Sequence, residues 1–209
     1  MLKFLTRNSL YIVSALAIAV GAYTALNWDS LPVLQRMVGL FFVGITAHVW
    51  EEMRFPGGFT EMIASRVNFT AKSKEFGESI TMVYVLSIAA VPFLFPHITF
   101  LLLAPMLLGV MEAVMHTAII RLFHLKRPYS PGLVTALTVL LPISVYSMSY
   151  AVAHHLVSPL DWVWAFLYMA AGLILAQRIV VTASGMKYSE FLRNARNALF
   201  TNKALGAED

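Results

Sequence analysis

Apolar positions along this chain gather into six long runs separated by short polar stretches. Each run holds roughly 18 to 25 mainly apolar residues, enough for a helix to cross about 30 Å of hydrocarbon. The pattern predicts spans over Ser9–Trp28, Leu31–Trp50, Ser79–Phe95, Ile98–Ile120, Gly132–His155 and Trp162–Ala183. Pro92, Pro96 and Pro159 mark turns between spans, whereas Pro105 and Pro142 fall inside spans and predict kinks. Two further segments repeat at helical spacing without the length to span. One carries Phe59, Met62, Ile63 and Val67 on one side, with Glu61 and Arg66 elsewhere. The other is the tail 187–209, with a Tyr188, Phe191, Leu192, Ala195 and Leu199 stripe and Arg193, Arg196 and Lys203 off it. Both fit short interfacial helices on an anionic membrane surface, or else segments packed on the bundle. No linker, repeat or soluble domain interrupts the pattern. The expected fold is a single all-α polytopic membrane bundle over residues 1–209.

Composition agrees: 59% of the 209 residues are hydrophobic and only 12% charged, more apolar than a soluble domain of this size needs. Lys3 and Arg7 precede the first run as they would in a signal peptide. That run reaches about 20 residues without a small-residue cleavage site, so it reads as a retained helix. Cysteine is absent, which excludes disulfides, thiolate metal sites and cysteine nucleophiles. The net charge of +4 does not argue for a nucleic-acid partner, because the basic residues lie between the spans. All of the 15 Lys and Arg residues except Arg36 fall at the N-terminus, in the second-to-third and fourth-to-fifth connections, or around and beyond the end of the last span. The positive-inside rule therefore places both termini in the cytoplasm. The partner so far is the lipid bilayer.

The remaining polar residues carry the chemistry. A charge at membrane depth is costly and generally has both a partner and a task. His48, Glu51 and Glu52 close the second run; Glu112 and His116 lie late in the fourth. His48 shares a helix face with Glu51 at i+3 and with Glu52 at i+4, and Glu112 stands to His116 as i to i+4. The two spans run in the same direction, so both groups reach the same cytoplasmic depth. The expected metal ligands are His48, Glu51, Glu112 and His116, and the candidate catalytic carboxylates are Glu52 and Glu51. Imidazoles with carboxylates suit a divalent metal, zinc first, with iron or manganese as alternatives. A His-Glu-x-x-His pattern is absent, so a zincin-type protease is excluded. Arg54, Asn68, Glu78, His124, Tyr129 and Thr135 fall near the same end as candidates for substrate contact or for support of the ligands. Each also has a plainer explanation. Asn68 can cap a helix, Glu75 and Glu78 can complement a helix dipole, and His124 can be a solvated loop residue. Thr135 can bond its own backbone. His97, His154 and His155 belong to the outer side. Pro56-Gly57-Gly58 supplies a permissive turn that folds the next segment back under the bundle as a lid.

His48-Val-Trp-Glu51-Glu52 followed by Pro56-Gly57-Gly58-Phe59 resembles the signature of the HXXEE-motif family of small bacterial integral membrane proteins. Glu112-x-x-x-His116, and Tyr129-x-Pro131-Gly132 with Thr135-Ala136, resemble its later blocks. The likeness runs from about residue 35 to about residue 180. It implies a multi-pass protein of the bacterial inner membrane and a polar-motif site, but no reaction. The family's Asn-x-x-x-Glu block departs here, since Asn68 is followed at that spacing by Lys72. Glu51-Glu52 with Arg54 also resembles the acidic motif of the CAAX-protease family, with the Arg differently spaced, which offers chemical analogy only.

The expected function is a metal-dependent membrane enzyme. The favoured form is a hydrolase acting on a lipid-like or amphipathic substrate at the cytoplasmic side, with metal-activated water and Glu52 as general base. The alternatives are an iron-dependent oxidase or hydroxylase at the same His/Glu site, a proton or metal-ion transporter using the cluster, or a haem bundle drawing on His97 and His154. Gly39-x-x-x-x-Gly44 is not the spacing for close helix pairing, so no dimer is inferred from it and the oligomeric state stays open.

Overall fold

The computed structural model describes residues 2–205; the side chains of Leu199 and Lys203, and residues 206–209 of the expected tail, lie outside the described part. The described chain is 79% helix without strands. In chain order the helices are α1 (Leu2–Arg7), α2 (Ser9–Leu26), α3 (Val33–Met53), α4 (Phe59–Arg66), α5 (Lys74–Leu94), α6 (Thr99–Leu122), α7 (Leu133–Ala153), α8 (Pro159–Ala183) and α9 (Tyr188–Leu205). Six of them, α2, α3, α5, α6, α7 and α8, are long and apolar enough to cross a membrane.

The two helices that carry the polar motifs are the central ones. In α3 and α6, 61% and 50% of the most apolar window is buried, against 17–39% in the other four. Helix α3 packs on α2, α6 and α7, and α6 packs on α7 and α8. The core between them is built from Val38, Phe41, Phe42 and Ile45 of α3 and Leu102, Leu103, Met106 and Leu108 of α6. These residues precede His48 and Glu112 by one to three turns, so an apolar plug fills the half of the bundle beyond the polar motifs.

Several boundaries differ from the expected spans. Helix α3 continues past Trp50 to Met53, which brings Glu51 and Glu52 inside regular helix. Helix α8 begins at Pro159, because Ser158 and Asp161 form a reciprocal capping box and Pro159 occupies the first turn. Helix α5 starts at Lys74 behind the Ser73 cap and runs through Pro92 instead of stopping there. The means is a π turn over Leu86–Ala90, in which the Val91 N–H bonds to Leu86 O. That skip leaves Ser87 O without a helical donor, and the Tyr168 hydroxyl donates to it at 2.6 Å. An equivalent π turn, Ala136–Leu140, precedes Pro142 in α7. A proline lacks the N–H for the preceding turn, and a π bulge is a known way to absorb such a fault.

The two non-spanning segments pack on each other. Val67 just after α4, Phe191 of α9 and Val181 of α8 form a small core of their own.

Candidate metal centre

The C-terminal ends of α3 and α6 meet the N-terminal end of α7, and there the four polar side chains converge. His116 Nε2 lies 3.3 Å from Glu52 Oε1 and 3.6 Å from Glu112 Oε2. His48 Nε2 lies 3.7 Å from Glu52 Oε1 and 3.9 Å from Glu112 Oε2. The rings stand edge-to-face with centroids 5.0 Å apart. Donor atoms of His48, Glu52 and His116 all fall within 4.8 Å of one another.

What fixes the rings is a second layer of hydroxyls. Thr135 Oγ1 donates to Glu51 Oε2 at 2.6 Å, leaving its lone pairs to accept from His48 Nδ1 at 3.0 Å. Ser130 Oγ donates to His116 O at 3.2 Å and bonds His116 Nδ1 at 3.0 Å. A hydroxyl has one proton to give, and Thr135 gives it to the Glu51 carboxylate, so the His48 ring proton sits on Nδ1. With each Nδ1 held by a hydroxyl, both Nε2 atoms point into the shared space. Both are buried and, among the described residues, neither has a hydrogen-bond partner. Buried polar atoms are ordinarily paired, and hydroxyl-anchored Nδ1 with free Nε2 is how metal-binding histidines are held.

The spacing fits a metal. An ion with ligands at 2.0–2.1 Å in tetrahedral array separates them by about 3.4 Å. The four nitrogen–oxygen distances here run from 3.3 to 3.9 Å. The donor set, two imidazoles and two carboxylates, suits zinc, iron or manganese.

Glu51 does not join this group, contrary to its expected place among the ligands. Its carboxylate turns to the start of α7 and accepts from Tyr129 Oη at 2.9 Å and from the backbone N–H of Val134 and Thr135 at 3.2 and 2.8 Å. Helix α7 has glycine at its N-cap and so no capping side chain of its own; Glu51 caps it from α3. Burial and the Glu51 carboxylate push the Tyr129 hydroxyl up to about 12, so it stays a donor. Glu52, expected as the base, stands instead beside the imidazoles.

Gly132 explains why α7 needs outside help. At φ +100° it passes so close to the rings that a Cβ would lie 2.5 Å from His116 Cε1 and 2.8 Å from His48 Cε1. Only glycine fits there. On the other side, the Phe59 ring of α4 lies 4.6 Å from His116, centroid to centroid. Sequence reasoning had not singled out Ser130, Gly132 or Phe59 as site residues, although all three lie in stretches it had marked.

Other expected site residues fall at the margin. Arg54 and Glu78 form a bidentate pair at 2.8 and 2.7 Å that ties α3 to α5. Asn68 and His124 are exposed and close helix ends in the left-handed conformation, at φ 50° and 46°. Phe69 N–H bonds to Ala64 O and Leu125 N–H to Ile120 O, the pattern of Schellman ends. Their role here is to stop α4 and α6.

The family described as "Protein of unknown function with HXXEE motif" matches residues 39–147, more than half of the chain. The chain belongs to that family. The match is narrower than the stretch expected from the sequence, but it contains every residue of the HXXEE cluster and its supporting hydroxyls; α8 and α9 lie outside it. No curated protein and no solved structure matches the chain.

Proposed function

We propose that this HXXEE protein is a metal-dependent hydrolase of the bacterial cytoplasmic membrane, acting on a lipid-like or amphipathic substrate at the cytoplasmic side, with both termini in the cytoplasm. The observation that carries the proposal is the pair of buried, unpartnered Nε2 atoms facing Glu52 and Glu112. Among the described residues neither nitrogen has a hydrogen-bond partner and no Lys or Arg pairs with Glu52 or Glu112, and a divalent ion supplies what the group lacks.

His48, His116 and Glu52 would hold the ion, zinc first. When bound, it supplies an acidified water and a positive charge for a developing oxyanion. Glu112 is the more open carboxylate, its side chain 21% exposed against 13% for Glu52, and is the group assigned to take the proton. Water oxygen adds to the substrate's acyl carbon, Glu112 accepts the water proton and passes it to the leaving oxygen as the acyl bond breaks. Thr135 keeps the His48 proton on Nδ1 and Ser130 holds the His116 ring throughout. The apolar plug of Phe41, Leu103 and Met106 beyond the cluster favours chemistry over ion passage, since a transport path needs polar groups on both sides.

Metal content of the detergent-purified chain tests this. The expected result is one equivalent of zinc, lost in His48→Ala and in His116→Ala, with Glu112→Gln keeping metal but losing ester hydrolysis. A folded wild-type chain that takes up no metal, even after metals are added back, overturns the proposal. Bound iron in place of zinc would keep the site and replace hydrolysis by oxidation.

A further inference from the structure

Phe59 has two neighbours. One face of the site is its contact with His116; it also lines a partly open cavity of about 680 Å³ between α4, the first half of α5, the second half of α8 and Phe191 of α9. Met53, next to Glu52 in α3, lines the same space. The cavity and the cluster therefore share a wall.

We propose that this cavity is a chamber for a hydrocarbon chain, holding the tail of a membrane amphiphile while its polar end passes Phe59 to Glu52 and Glu112. The inference rests on the proposed hydrolase for what happens at the polar end. Its size suits a single small-molecule ligand. The chemistry of the occupant follows from the charged groups in the wall, which are already paired. Arg54 is bound to Glu78 and Lys74 to Glu61. Thr81 donates to Gly77 O and Tyr84 to Met169 O. A peptide or sugar entering the chamber would give up its bonds to water and find few replacements. A hydrocarbon chain gives up nothing. The flanking outer faces of α5 and α8 carry exposed Val83, Ile174 and Leu175. The chamber is thus bordered by surface that suits lipid, the medium in which such chains are found.

The test uses the full chain in phospholipid nanodiscs with a diazirine-bearing palmitic acid, its cross-links mapped by mass spectrometry and bound metal measured on the same sample. Expected labelling falls on chamber residues such as Ile63, Ile80 and Val180. It is lost in Ala176→Trp, which fills the chamber from α8, while bound metal is unchanged. Gly77→Leu fills it from α5, where an added Cβ meets only Val180 at 3.8 Å, and serves if the first variant does not fold. Labelling confined to outward residues such as Ile174 and Leu175, or unchanged by both variants, overturns the chamber whatever the metal content. Chamber labelling in a chain without metal keeps the chamber and removes the hydrolase.

Discussion

Thr135 and Ser130 do for the imidazoles what a side chain at the metal itself cannot: they decide which nitrogen is free. Thr135 gives its one proton to the Glu51 carboxylate and so accepts from the His48 ring, while Ser130 bonds both His116 Nδ1 and the His116 carbonyl. Removing either hydroxyl frees its ring to turn or to carry its proton on Nε2, where it blocks the ligand position. Thr135→Val and Ser130→Ala should each weaken metal binding about 10- to 100-fold, the usual effect of losing such a support. Competition against a chelator of known affinity measures this, and Thr135→Ser should restore binding. Unchanged affinity in both variants would mean the tautomers are not held by these hydroxyls. At this scale the sequence was only partly legible. His48, Glu52, Glu112 and His116 announced themselves as ionisable groups in apolar runs, because membrane depth makes such groups expensive. Glu51 looked equivalent to Glu52 by spacing. One helical step, about 100° of rotation, turns it from the cluster to the α7 N-terminus, and nothing in the local sequence says which of two adjacent acids faces which neighbour. Ser130 was invisible because serine is common at helix starts.

Among the elements, α4 is held lightly. It has no fully buried residue and is tied to α5 by Lys74 Nζ on Glu61 Oε1 at 2.6 Å, both side chains more than half exposed. That hydrogen bond, aided by the Lys74 charge, holds the Glu61 carboxyl below its ordinary value of 4.5. A depressed folded value means the contribution is full above 4.5 and is lost as pH falls through the lower folded value. Acidification below 4.5 should therefore loosen α4 over the chamber, raising backbone hydrogen exchange across residues 59–66 after correction for intrinsic rates. The step should be small, since exposed pairs contribute about 0.2–1 kcal/mol, and high salt should shrink it. A Glu61→Gln chain should exchange at one corrected rate across the same range; an equal acid step in that variant would assign the loosening to other groups. The 3.6-residue repeat of Phe59, Met62, Ile63 and Val67 after Pro-Gly-Gly fitted a helix at α4, with a loop packed on the bundle as the alternative. The sequence did not show α5 continuing through Pro92. A proline near the end of an apolar run reads as a stop, and the π turn with its Tyr168 partner depends on a residue far away in sequence. Asn68 and His124 were similarly ambiguous: a left-handed C′ residue makes no periodic signal, so both could be read as candidates for substrate contact or for support of the ligands.

For the whole molecule, the decisive quantity is the placement of charge. All of the 15 basic residues except Arg36 fall at the end of the bundle that holds the cluster, or in elements leading to it. Arg36 is accommodated at the opposite end by stacking on Trp28, 5.0 Å from the ring centroid, which shields it without a carboxylate. Under the positive-inside rule, the proposed orientation with six crossings would put the α2–α3 connection outside and the α6–α7 connection inside. That orientation matters to the function: it decides whether the metal, the substrate head group and the water come from the cytoplasm or from the far side. The chain contains no cysteine, so single cysteines can be introduced without a background to remove. Ser30→Cys lies in the α2–α3 connection and Lys126→Cys in the α6–α7 connection, both at exposed positions. A membrane-impermeant maleimide should label Ser30→Cys in intact spheroplasts and Lys126→Cys only in inverted vesicles. The opposite pattern would turn the cluster to the outer face, and the proposed hydrolase would then draw its substrate from the outer leaflet. Labelling of both positions from one side would mean that an even number of the three apolar helices between them, α3, α5 and α6, crosses the membrane, and the alternation that brings the C-terminal ends of α3 and α6 to one depth would have to be rebuilt around a helix that does not span.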